Sequence, residues 1–311
     1  MKKLLFVDTN KWLDFYRSRT AEAGVGLAHR LDGIRDQLII TSQVEMEFKK
    51  HRQSTIIEAL KTLKHPEAVL QPGLFADAKE SLSLRRDIKK VEQRVNRLKA
   101  RLLRALEKPA AYDEVYQVFQ RCYHKNDDLC LVRETEGKDL LRRKAFRRFL
   151  LGCPPRKRDD TSIGDAINWE WIVRCAIKHN AEIHIVSRDS DYGVTVEEKS
   201  YINDHLLQEF RERVSKKRGI FLYTRLSDAL KKFAVEVTRA EEKEESAIIE
   251  REVTHNREDS NASSRLSSLL APFLPDPVRQ MSPEEEKKLE IWLNTILGRT
   301  DDTGGSGKQN S

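Results

Sequence analysis

Three observations predict an α/β protein built on a doubly wound parallel sheet, with an inserted helical coiled-coil arm and a C-terminal helical tail. Apolar runs without alternation, such as Leu4-Leu5-Phe6-Val7 and Gln37-Leu38-Ile39-Ile40-Thr41, read as strands buried on both faces. Helix-length segments separate these runs, the pattern of βαβ units. Acidic residues recur just beyond the runs, at the sheet edge where open α/β folds place ligands.

The first run ends in Asp8-Thr9-Asn10, and a helix is expected from Lys11 to about Leu31, loosened by Gly24 and Gly26. After the second strand, Ser42 is expected to cap a helix carrying Val44, Glu45, Glu47 and Phe48. From Leu84, apolar residues follow at Ile88, Val91, Val95, Leu98, Leu102 and Ala105, a heptad seam that predicts a coiled-coil hairpin or arm. Between Lys79 and Lys108 stand eleven Lys/Arg against four Asp/Glu, a one-signed excess that suits either a solvated helix face or a nucleic-acid grip. Tyr112 to about Tyr123 is the expected returning helix, and Asp139 to Leu151 another amphipathic one.

Residues 140–158 contain eight basic side chains and no acidic one: Arg142, Arg143, Lys144, Arg147, Arg148, Arg156, Lys157 and Arg158. Phosphate-backbone contact is expected of them. A helix over Thr161 to Lys178 leads to a third strand, Glu182 to Ser187. A charged helix over Asn203 to Lys216 precedes a fourth strand, Gly219 to Tyr223, and a helix over Ser227 to Val235. Thr238 to Ser260 is charge-dense and suits a frayed helix, Asn261 to Pro277 reads as linker, and Ser282-Pro283-Glu284-Glu285 opens a short helix before a disordered tail.

The 311 residues thus divide into 1–74 and 125–237 as two parts of one α/β domain, 75–124 as insertion, and 238–311 as linker, helix and tail. A net charge of +7 favours a polyanionic partner. Four cysteines without a Cys-x-x-Cys pair suit neither a zinc site nor a disulfide framework, so a cytoplasmic setting is expected. The N-terminal apolar run stops at Asp8 without a small-residue cleavage site, so no signal peptide is expected, and no apolar span is long enough for a membrane.

Asp8, Glu45 or Glu47, Asp165, Asp189 and Asp191 stand at comparable junctions, and in a parallel sheet these share one edge. Each has a plainer reading as helix cap, exposed helix residue or turn former. Gathered together, carboxylates repel unless protonated or neutralised by a cation, and hard oxygen ligands select Mg²⁺ or Mn²⁺. Two such ions, roughly 3.5–4 Å apart, clamp both oxygens of an in-line phosphoryl displacement.

Four stretches resemble the PIN domains, a family of metal-dependent nucleases. They are Val7-Asp8-Thr9-Asn10, Thr41 to Phe48, Ile163 to Glu170, and Val186-Ser187-Arg188-Asp189-Ser190-Asp191-Tyr192. The resemblance implies a three-layer α/β/α fold and selects Glu47 over Glu45. It implies Asp8, Glu47, Asp165 and Asp189 as catalytic metal ligands, Asp191 as a further ligand, and Thr9, Asn10 and Ser187 as their supports. It further implies a Mg²⁺- or Mn²⁺-dependent endonuclease acting on RNA in preference to DNA, compatible with a toxin or phage-defence role. The rival reading is an idle fold of the same family that binds nucleic acid or acts as a scaffold, with its arm or tail joining a second copy or a protein partner. Aspartyl-phosphate chemistry is disfavoured, because Asn10 stands where a second acid would be needed.

Overall fold

In the computed structural model the described residues are 2–66, 73–125, 127–132, 135–155, 162–252 and 254. The chain divides into a compact unit, Met1–Arg251, and a second, Glu252–Ser311, of which only Glu252 and Thr254 are described. The expected helix at Ser282 therefore lies outside the described residues, as do Arg156, Lys157 and Arg158.

The first strand, β1 (Lys3–Val7), is the centre of the sheet. Leu4, Leu5 and Phe6 are fully buried, as an unalternating apolar run requires. β2 (Leu38–Thr41) lies parallel on one side of it and β3 (Cys130–Leu131) beyond. On the other side lie β4 (Glu182–Val186) and then β7 (Ile220–Tyr223), so the all-parallel order is β3-β2-β1-β4-β7. The chain winds outward from β1 in one direction and then returns to continue in the other. The switch point falls between β1 and β4, where the carboxyl ends of two strands diverge into different helices. An antiparallel hairpin, β5 (Gly193–Val196) and β6 (Lys199–Ile202), follows β4.

The helix expected from Lys11 to Leu31 is two: α1 (Thr9–Arg17) and α2 (Ala21–Gly33). Gly24 does not loosen them. It permits their close approach, since a Cβ there would sit 2.7 Å from the Phe15 carbonyl oxygen. α3 (Ser42–Thr62) is capped by Thr41 rather than Ser42, through a bond from the Val44 N–H to Thr41 Oγ1 at 3.2 Å.

The insertion departs from expectation in a second way. α4 (Lys79–Glu107) is one helix of 29 residues, but the returning chain does not pair with its seam. After the short α5 (Pro109–Tyr112), α6 (Glu114–Tyr123) turns its apolar face to the core. There Phe119 stacks 3.8 Å from both Phe48 and Tyr123 and meets Trp12 edge-on at 5.0 Å. Aromatic burial on α6 outweighs pairing with a strongly charged arm. Leu84, Val91 and Leu98 are left 40–47 % exposed, and only Ala105 at the arm's base is buried. Arg52 of α3 fastens that base: Nη2 donates to the Ala105 carbonyl, while Nε bonds Asp113 Oδ2 at 2.8 Å.

The remaining helices are α7 (Lys138–Leu150), α8 (Gly164–His179), α9 (Asp204–Arg213) and α10 (Leu226–Lys232). The boundary expected at 238 is overtaken by one more, α11, whose residues 239–251 belong to the first unit. Two of its acids, Glu241 and Glu245, are buried rather than solvated. Glu245 accepts from the Leu226 and Ser227 N–H groups, capping α10 from eighteen residues away, and Glu241 takes both Arg30 Nε bonds at 2.8 and 3.0 Å. Among the described residues no helix is long and apolar enough to cross a membrane.

Candidate active site

Asp8 is the first residue beyond β1, and its backbone N–H bonds the Val186 carbonyl at 3.0 Å, so the ladder of β1 with β4 runs right up to it. Its carboxylate is buried. Oδ1 accepts from the Thr9 N–H at 2.7 Å, so the plain reading of Asp8 as the α1 cap also holds. Oδ2 accepts from Ser187 Oγ at 2.6 Å, and that hydroxyl in turn accepts from the Asp189 N–H at 3.0 Å. Ser187 therefore joins the end of β1 to the loop after β4 across the switch point.

Glu47 reaches the same rim from the second turn of α3. Its Oε2 accepts from Thr9 Oγ1 at 2.7 Å and its Oε1 from Gln43 Nε2 at 2.6 Å. Gln43 stands one helical turn before Glu47, a spacing that sequence reading could have used to find it. Glu45, by contrast, faces away and pairs with Lys49 at 2.6 Å, which agrees with Glu47 as the rim acid.

The start of α8 is pressed against Glu47. A Cβ on Gly164 would lie 2.4 Å from Gln43 Nε2 and 3.0 Å from Glu47 Oε1, so only glycine lets the helix N-terminus approach this carboxylate. Asp165 follows in the first turn. One turn on, Asn168 Oδ1 accepts from Thr41 Oγ1 at 2.7 Å with both groups buried, fixing α8 to the end of β2. Asn10 is half-buried in the first turn of α1, beside Thr9.

Two titration shifts report how these acids share space. The Asp8 carboxyl is raised, first by burial; the Ser187 bond opposes this, and the charges of Asp189 and Glu47 add to it. Tyr192, fully buried, has its phenol pushed far up by burial and then by the charges of Asp165, Asp8, Asp189 and Glu47. Four of the five carboxylates expected as ligands, all but Asp191, thus act on this one residue. Asp191, half-buried, connects through its N–H to Asp189 Oδ1 at 3.5 Å. Tyr192 itself was not singled out; an aromatic ending the fourth motif carries no local signal of its position.

Among the described residues no three His, Cys, Asp or Glu side chains are drawn close enough to form a metal cage. The residues present nevertheless fit a hard divalent cation. Asp8 is a buried carboxylate held by a hydroxyl and an amide, with no Lys, Arg or His paired to it or to Glu47 among the described residues. Two further acids raise the cost of its charge, and an added cation would remove that cost.

Of the basic residues expected to grip phosphate, Arg142, Arg143, Lys144 and Arg147 are exposed on α7. Arg148 is a correction. It is buried, donates to Glu209 and to the Pro154 carbonyl, pairs with Glu170 at 3.4 Å and lies over the Trp169 ring. Its helix turns it toward α8 and α9, whose acids consume its donors.

A family model described as PIN domain matches residues 5–192, an interval that opens inside β1 and closes on Tyr192. No curated protein and no solved structure matches the chain.

Proposed function

From a chain that belongs to the PIN-domain family, we propose a Mg²⁺- or Mn²⁺-dependent endonuclease that hydrolyses phosphodiester bonds in RNA in preference to DNA. PIN domains are generally nucleases that bind divalent metals and act on nucleic acids. The observation that carries the reading is the buried Asp8 carboxylate, which among the described residues is paired with no protein cation and feels the charges of Asp189 and Glu47.

Asp8, Glu47, Asp165 and Asp189 would hold the cation, with Asp191 as a further oxygen donor. When bound, it supplies Lewis-acid stabilisation of phosphate oxygens and lowers the pKa of water. The chain's own groups do the positioning. Ser187 and the Thr9 N–H orient Asp8, while Thr9 Oγ1 and Gln43 orient Glu47, leaving the remaining lone pairs directed by bonds already made. Asn10 would assist beside Thr9. Arg142, Arg143, Lys144 and Arg147 would hold the nucleic-acid backbone, giving affinity with little sequence information. Arg156, Lys157 and Arg158 carry the same proposal from sequence alone.

The test incubates wild type and Asp8→Asn/Asp165→Asn with tRNA, mRNA, single-stranded and duplex DNA, with Mn²⁺ or EDTA. The expected result is metal-dependent RNA cleavage that the double variant lacks; equal cleavage by both sinks the assignment. An effector role as toxin or in phage defence adds that expression arrests growth only while Asp8 is intact. A scaffold reading is favoured by one observation, the exposed seam of α4. RNA binding that is equal with EDTA and Mn²⁺, without any cutting, would support it instead.

A further inference from the structure

Among the described residues β7 is the edge of the sheet, paired with β4 alone, and beside it the hairpin β5–β6 and helix α9 line an open groove of about 850 Å³. Six Lys/Arg and three Asp/Glu line it. Two of those acids are already engaged: Asp228 pairs with Arg225 at 2.7 Å, and Glu198 lies 3.9 Å from the same arginine. Charged edges commonly protect a strand from aggregation. Two large aromatic side chains, Tyr201 at 47 % and Phe221 at 43 % exposure, stand in the same groove, Phe221 stacked on the buried His184 at 5.2 Å yet still offering ring surface to solvent. Lys199 Nζ lies 5.3 Å from the Tyr201 ring centroid, so cation and ring are presented together.

The groove follows β7 to its carboxyl end, where Tyr223 and Thr224 line it, at the same edge of the parallel sheet at which Asp8 follows β1. There the Tyr223 backbone carbonyl accepts from the Ser187 N–H at 3.0 Å, and the Ser187 hydroxyl donates to Asp8 at 2.6 Å. The hairpin is seated firmly on β7, because a Cβ on Gly193 would meet the Tyr201 carbonyl at 2.0 Å and Leu222 at 2.8 Å. A strand leaving the carboxylates toward β7 would therefore meet a basic channel carrying exposed rings. Such channels track a phosphate backbone while bases stack on the aromatics.

We propose that the β7 groove binds the single-stranded segment of nucleic acid that runs out of the acidic rim, with bases stacked on Tyr201 and Phe221 and phosphates on Lys199, Lys216 and Lys217. The proposal rests on the nucleic-acid reading of the rim and adds a site outside it.

The test measures fluorescence polarisation of labelled 20-nucleotide oligouridylate and of a 20-base-pair RNA duplex, using the full chain in EDTA. Tyr201→Ala/Phe221→Ala is expected to weaken single-strand binding roughly tenfold or more per ring, and Tyr201→Phe/Phe221→Tyr to restore it. Lys216→Ala/Lys217→Ala, both exposed, is expected to lower the salt slope by about 1.4, at about 0.7 per contact. Binding by the double-alanine ring variant within twofold of wild type overturns the groove, as does equal affinity of wild type for the duplex. Cleavage in Mn²⁺ separates the two claims. Wild type that cuts, with ring variants that bind normally, removes the groove and keeps the nuclease. Wild type that never cuts, with ring variants that lose binding, removes the nuclease and keeps the groove.

Discussion

Two sets of buried or half-buried acids occupy this molecule, and their surroundings are opposite. Away from the rim, each buried carboxylate meets a protein cation. Asp14 is bonded by Arg188 at 3.0 Å and approached by Lys11 at 3.6 Å, Glu170 takes Arg213 at 2.7 Å, and Glu209 lies between Arg148 and Arg213. At the rim, Asp8 and Glu47 meet hydroxyls, an amide and each other's field. Titration follows the difference. Burial pushes both Asp14 and Glu209 up, but the arginine bonds outweigh it and hold them below the usual range, whereas Asp8 stays above it. Among the described residues no Arg or Lys is paired with these two acids, which leaves their charge to be met by a bound cation, and that separates a structural cluster from a ligand site.

The comparison is broken most easily through stability. Asp14→Asn should cost about 3–5 kcal/mol in urea unfolding, because Arg188 and Lys11 would stay buried without their counter-charge. Asp8→Asn should leave metal-free stability equal to or above wild type while lowering cleavage about 100-fold or more, a loss of several kcal/mol in stabilisation. A destabilised, fully active Asp8→Asn would reverse the two classes.

Acid dependence sharpens the same contrast. Glu209 has a depressed folded pKa, so its contribution is complete above the ordinary carboxylate range and is lost as pH falls through the folded value. Asp8 has a raised one, so without metal its cost appears as pH rises from the ordinary range through the folded value. In thermal melts from pH 3 to 7, Glu209→Gln should flatten the acid limb, and Asp8→Asn should raise the neutral end.

A smaller effect divides neighbours on α7. Arg147→Ala should lower the salt slope of RNA binding by about 0.7–0.9 with little change in melting, while Arg148→Ala should destabilise the fold. The smallest test is Gly164→Ala, whose Cβ would displace Gln43 from Glu47. A several-fold fall in cleavage with the melt nearly unchanged is expected.

What could be read in advance was local. β1 announces itself because four apolar residues run straight into Asp8, and the same run-then-acid grammar appears again at Val186 to Asp189. The α4 helix was legible from its heptads, but that α6 does not pair with its seam depends on Phe119 finding Trp12 and Phe48, far away in sequence. Arg148 was misread as a surface cation since its burial is decided by Glu170 and Glu209, 22 and 61 residues on. β3, two residues long, is below what any pattern reports. α11 was legible as a frayed helix but its docking was not, because a dense run of Glu looks solvated until Arg30 and the α10 N-terminus are placed against it.

Calorimetric titration of Mn²⁺ into the metal-free protein at neutral pH tests the central claim most directly, with wild type, Asp8→Asn and Glu209→Gln compared side by side. Saturable binding is predicted for wild type and Glu209→Gln, weakened at least tenfold in Asp8→Asn. Equal Mn²⁺ affinity in Asp8→Asn, or no binding by wild type at millimolar metal, would contradict the account.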